Sequence, residues 1–87
     1  MSAAMVEQIR ERLQQALDPV ALEVLDEGHE HAGHANDGKG HFHVRVVSAA
    51  FAGQLSIKRH RLVYAALQGL MDNGIHALSI DAKAPGE

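Results

Sequence analysis

The chain contains no cysteine. Disulfides, thiol nucleophiles and thiolate metal sites built by this chain alone are therefore excluded. Aromatic residues are nearly as scarce: Phe42, Phe51 and Tyr64 are the whole set, so leucine, valine, isoleucine and alanine must fill any core. No stretch approaches the roughly 20 apolar residues that a bilayer-crossing helix needs. The N-terminus lacks the charged start and unbroken apolar run of a secretory signal. The expectation is a soluble, cytoplasmic protein with no membrane association. Net charge is −3 with histidines neutral, which gives no overall attraction for nucleic acid.

What is present is a chain of 87 residues, 46% of them hydrophobic. This predicts one α+β domain over residues 1–87 with a modest core, since a chain of this size hides only about 60–65% of its unfolded surface. A deep catalytic cleft is hard to build at that scale, and the expectation is a protein that is not an enzyme. No P-loop or Gly-x-Gly-x-x-Gly fingerprint occurs, and Ser48, Ser56 and Ser79 lack a nucleophile-elbow context. Seven histidines are the oddity of the composition. Their protonation near pH 6 would reverse the net charge.

The spacing predicts a helix over Ala3 to Leu17, with Val6, Ile9, Leu13, Ala16 and Leu17 as its apolar stripe. Asp18-Pro19 ends it, because proline disfavours the helical region for its predecessor. A strand is expected over Val20 to Asp26 and a clearer one over His41 to Ser48. In the second, Phe42, Val44 and Val46 share one face, and His41, His43 and Arg45 the other. Between them, Glu27 to Gly40 is far longer than the usual 2–5-residue hairpin loop. Ala49 to Leu55 reads as a turn with a short helical piece. A second helix is predicted over Ser56 to Asp72, with Ser56 as N-cap and Leu62, Val63, Ala66, Leu67 and Leu70 buried. Asn73-Gly74 supplies its stop. The last strand is predicted over Ile75 to Lys83, with His76, Leu78, Ile80 and Ala82 alternating onto one face. The order α-β-β-α-β implies an antiparallel first pair, a third strand parallel to the second, and helices on one face of a three-stranded mixed sheet. The other face is then left open for a docking partner.

Three features can carry chemistry. His29, His31 and His34 crowd the long loop, and neutral imidazole is the commonest protein ligand for borderline metals. The spacing matches no zinc finger, and on spacing alone a solvated histidine-rich loop is the better reading. His76 sits at the first turn out of Gly74, near the sheet rim; taken alone, it reads better as a partly buried histidine bonded to backbone. Lys58, Arg59 and Arg61 crowd the start of the second helix, where the dipole prefers acids. An anion is expected nearby, whether an acid of the chain, a phosphate or a partner's acidic surface.

The residues also resemble a known family. Phe51-Ala52-Gly53, then Lys58-Arg59-His60-Arg61-Leu62-Val63-Tyr64-Ala65-Ala66-Leu67, then Ile75-His76-Ala77-Leu78-Ser79-Ile80 form the pattern of the BolA family. His41-Phe42-x-Val44-x-Val46-Val47-Ser48 fits it too, as does Glu23-Val24-x-Asp26-Glu27 leading to His31-Ala32. The resemblance spans nearly the whole chain in order. It implies a fold similar to class II KH domains. It also implies a monomer that pairs with a monothiol glutaredoxin and shares a bridging [2Fe–2S] cluster, in iron–sulfur assembly, trafficking and iron regulation. By that likeness His76 and His31 are the ligands, with His29 and His34 as possible substitutes for His31. Thiolates, including that of glutathione, come through the partner. Imidazoles in place of thiolates make a cluster less negative and raise its potential, as in Rieske centres.

A rival implication is a DNA-binding transcriptional regulator, with Lys58, Arg59 and Arg61 on phosphates. Against it, a KH domain clamps nucleic acid with a Gly-x-x-Gly loop, and Ala52-Gly53-Gln54-Leu55 offers one glycine. Three phosphate contacts also give only weak, salt-sensitive binding. A solitary metal sensor built from the loop histidines is a third reading.

Overall fold

The structure, a computed structural model, describes residues 2–27 and 40–87. Helix α1 runs over Ser2–Leu17. Ile9, Leu13 and Leu17, one turn apart, are buried, and Met5 and Val6 pack beside them. Ala16, expected in that stripe, is exposed; in the last turn Leu17 takes the core position instead. Asp18 stops the helix in the left-handed region, at φ 46°, with its N–H still donating to the Gln14 carbonyl at 3.1 Å.

Strand β1 covers Ala21–Asp26 and β2 covers His41–Val47. They pair antiparallel, Leu22 opposite Val46 and Val24 opposite Val44. Strand β3, Ala77–Lys83, lies parallel to β2, with Phe42 beside Leu78 and Val44 beside Ile80. The sheet order is β1-β2-β3. This is the expected mixed sheet in an α+β fold. Because the side-chain period is two, one register puts Val24, Phe42, Val44, Val46, Leu78 and Ile80 together against the helices. The opposite face carries a row of charge. Arg45 on β2 lies 3.4 Å from Glu23 on β1 and 3.6 Å from Asp81 on β3. These pairs are exposed and add little to stability.

After β2 a short 3₁₀ turn, Ala49–Phe51, drives the Phe51 ring into the core. Ser48 organises that corner. Its hydroxyl donates to the Leu17 carbonyl at 2.5 Å and accepts from the Ala50 N–H at 3.1 Å. It is wholly buried, so it ties the end of α1 to the end of β2. Ser48→Ala leaves both backbone partners unsatisfied, and should cost about 1–3 kcal/mol. Exposed Ser79→Ala should stay within about 0.5 kcal/mol. Urea unfolding of the two variants checks this, and equal costs would contradict the role given to Ser48.

Helix α2 covers Ser56–Ala66, shorter than the predicted Ser56 to Asp72. The chain then passes through turns, with Gly69 at φ 92° in the left-handed region where only glycine is at ease. Leu67 and Leu70 remain buried there, so the apolar stripe outlasts the helix that predicted it. Arg12 of α1 donates to the Gln68 carbonyl at 2.8 Å, satisfying an acceptor beyond the helix end. The expected N-cap is also displaced. Leu55, extended at ψ 160°, holds that position without a side-chain hydrogen bond, and Ser56 is already helical. The last strand begins at Ala77 rather than Ile75, because Ile75 turns inward and is buried.

Candidate metal centre

The rim of the sheet where β2 and β3 both begin is built almost entirely from backbone. The Gly40 carbonyl accepts from the His76 N–H at 2.8 Å and the Ala77 N–H at 3.0 Å. On the other side of β2, the Glu27 N–H donates to the His41 carbonyl at 2.8 Å. Both ends of the 28–39 segment are thereby fixed at one corner, beside His76. His29, His31 and His34 belong to that segment and lie outside the described residues.

His76 stands just before β3 and is exposed. The alternation predicted for Ile75 to Lys83 would have placed it with Leu78 on the core face. Instead its ring stacks on that of His41, with centroids 5.4 Å apart and planes at 16°. His41 is half-buried at the first position of β2. Such offset stacking is favourable for aromatic rings at this separation. Two imidazoles thus share the corner, and one of them, His41, is a residue that sequence reasoning placed on the open face without a role. No local sequence signal marks it: His76 becomes its near neighbour only through the parallel pairing of His41 with Ala77. Among the described residues no three of His, Cys, Asp and Glu converge as a metal site.

The three cations at the start of α2 separate into two kinds. Lys58 and Arg61 are exposed. Arg59 is committed inside the chain, its side chain only 14% exposed. It donates to the Gln54 carbonyl at 2.9 Å and the Ala82 carbonyl at 3.1 Å. Its two terminal nitrogens grip the Glu87 carboxylate at 2.6 and 2.7 Å. The anion expected near this helix start is thus an acid of the chain. The Arg59 fork, helped by the Ala84 N–H, pulls the Glu87 carboxyl down to about 2. A carboxyl depressed in the folded state contributes stability that is complete above its unfolded value of 4.5 and fades as pH falls towards 2. The melting-temperature gap between the native chain and Glu87→Gln should therefore be a few degrees at most near neutrality. It should shrink steadily between about pH 5 and 3. A gap that does not change with pH would contradict this assignment.

A family model described as BolA-like protein matches residues 13–87. The chain belongs to the BolA family. SufE-like protein 1 of Arabidopsis thaliana, named as chloroplastic/mitochondrial, is 52% identical over 91% of this chain and 23% of its own length. Arabidopsis BOLA1, named as chloroplastic, is 48% identical over 91% of this chain and 52% of its own. This chain thus spans between about a quarter and a half of those two relatives. The solved BolA domain of Arabidopsis SufE1 superposes with a TM-score of 0.84, covering 94% of this chain and 93% of that one at 52% identity. A protein of Escherichia coli K12 named as the DNA-binding transcriptional regulator BolA is 39% identical over 85% of this chain and 70% of its own. The α-β-β-α-β arrangement is that of the BolA domains. No helix among the described residues is long and apolar enough to cross a membrane.

Proposed function

We propose that this BolA-family chain is a non-enzymatic adaptor that pairs with a monothiol glutaredoxin to hold a bridging [2Fe–2S] cluster in iron–sulfur assembly, trafficking and iron regulation. The observation that carries the reading is the corner at the sheet rim. The exposed His76 imidazole stands there, next to both anchored ends of the segment bearing His31. His76 and His31 are the ligands of this reading, and His29 and His34 are the substitutes within reach of the same loop. The donor set fits the role. A chain without cysteine supplies no thiolate of its own; its part is imidazole nitrogen, and thiolates, with glutathione, arrive through the partner. When bound, such a cluster supplies one-electron chemistry at a potential raised by its neutral ligands. The chain's own part is to present the imidazoles at an open edge and to leave room for the partner. By this reading the chain alone is a monomer. A cytoplasmic location is part of the proposal, whereas both Arabidopsis relatives are named for organelles.

The test mixes this protein with a cluster-loaded monothiol glutaredoxin and follows visible absorption and circular dichroism. A new cluster spectrum, distinct from that of the glutaredoxin alone, is the expected result. An unchanged glutaredoxin spectrum would defeat the reading.

A DNA-binding role has one specific support, the name of the Escherichia coli relative. In this chain it falls to Lys58 and Arg61, because Arg59 is held by Glu87. Two phosphate contacts give only weak binding, with a log–log salt slope of about −1.8. Binding to a preferred duplex that survives physiological salt would favour the regulator over the adaptor.

A further inference from the structure

We propose that Gly40 is the positioning residue for the His76 imidazole, an inference that rests on the adaptor reading only for its consequence at the cluster. A carbonyl oxygen has two lone pairs, and that of Gly40 uses both, one on the His76 N–H and one on the Ala77 N–H. The two bonds set where β3 starts and hold His76 outside the strand, where its ring meets His41. Glycine is required twice over. The residue sits at φ 64°, in the left-handed region. A Cβ at this position would lie 2.0 Å from the Gly74 oxygen, 2.6 Å from the His76 nitrogen and 2.8 Å from the Gly74 carbon. All three obstacles are backbone, so none can swing aside as a side chain would. Reaching even the closest separation real Cβ atoms show, 3.0 Å, needs an opening of about 1 Å between Gly40 and the Gly74–His76 turn. That displacement is several times the roughly 0.2 Å tolerance of metal–ligand distances.

Gly53 provides the contrast. It has a similar φ of 73°, but a Cβ there meets nothing within 4 Å. Gly53→Ala therefore reproduces the conformational cost without the collision.

The experiment compares Gly40→Ala with Gly53→Ala in the full, cluster-free chain by amide hydrogen exchange and by ring-to-ring nuclear Overhauser effects. In Gly40→Ala the His76 and Ala77 amides should exchange roughly tenfold faster, the size of one lost hydrogen bond. The His41–His76 ring contact should vanish, while Val44 and Val46 amides keep most of their protection. Gly53→Ala should leave the corner as it is. With cluster-loaded glutaredoxin, Gly40→Ala should give a weakened or altered heterodimer spectrum although both proposed ligands are intact. If the His76 and Ala77 amides and the ring contact are unchanged in Gly40→Ala, the proposal is overturned. Should Gly40→Ala fail to fold, replacing the 76–77 amide by an ester removes one of the two donors without adding volume. It should loosen the His41–His76 ring contact, and a native-like ring contact would equally overturn the proposal. The cluster-free arm decides the positioning role on its own. A native chain that forms no heterodimer spectrum defeats the adaptor reading and leaves that arm standing.

Discussion

Phe51→Ala should remove about 3–5 kcal/mol of stability, the usual cost of emptying a buried phenylalanine site. Phe51 is 0% exposed and is the largest fully buried side chain among the described residues. Its backbone is held by the 3₁₀ turn that Ser48 caps, with the Phe51 N–H on the Ser48 carbonyl at 3.1 Å. The ring therefore cannot be replaced by sliding a neighbour into its place without undoing the turn. A chain of this length has a total stability of only about 4–13 kcal/mol, so the variant should melt about 15–30 °C lower or fail to fold. Leu55 is the matching control, close in sequence and also large, but 78% exposed. Leu55→Ala should change stability by no more than about 0.5 kcal/mol. Thermal and urea unfolding followed by circular dichroism measures both. A loss below about 1 kcal/mol for Phe51→Ala would mean that the core is not centred on this ring.

The second large effect is functional. His76→Ala should abolish the heterodimer cluster spectrum and leave the fold almost untouched, because the His76 side chain is exposed and only its backbone N–H is used in the clasp with Gly40. Stability should fall by less than about 1 kcal/mol, mostly through loss of the stack on His41. His31→Ala should weaken the spectrum rather than remove it, since His29 and His34 lie within three residues and can take its place. The triple replacement of His29, His31 and His34 should then remove it. His41→Ala separates a ligand from a neighbour. If His76 is held mainly by the Gly40 clasp, His41→Ala should leave the spectrum in place with a modest shift. Full loss in His41→Ala together with a native spectrum in His31→Ala would move the second ligand to β2.

Much of the architecture is legible in the residues, and the misses have physical reasons. The alternation Phe42, Val44, Val46 and the spacing of Ile9, Leu13 and Leu17 survive intact, because burial on one face is what periodicity encodes. The predicted second helix extends too far because Leu67 and Leu70 keep a helical rhythm while Gly69 lets the backbone leave the helix. Ser48 lacks a nucleophile-elbow context in the sequence, and its structural importance depends on two backbone partners, one of them 31 residues away. The sequence groups Arg59 with Lys58 and Arg61 and leaves their anion open, because nothing local announces a carboxylate 28 residues further on. At the candidate site, periodicity alone gave His76 a place in a strand and no task. The family pattern supplied its identity as a candidate ligand. The stack with His41 and the clasp at Gly40 come from the parallel register of β2 and β3, which only the folded sheet reveals.

The most direct test of the shared centre is pulsed electron paramagnetic resonance on the reduced heterodimer, prepared with this chain labelled with ¹⁵N at histidine and the glutaredoxin unlabelled. A strong ¹⁵N coupling to the reduced cluster that disappears in His76→Ala is the expected result. A reduced cluster with no ¹⁵N coupling from this chain would contradict histidine ligation, and with it the adaptor function proposed for the sheet rim.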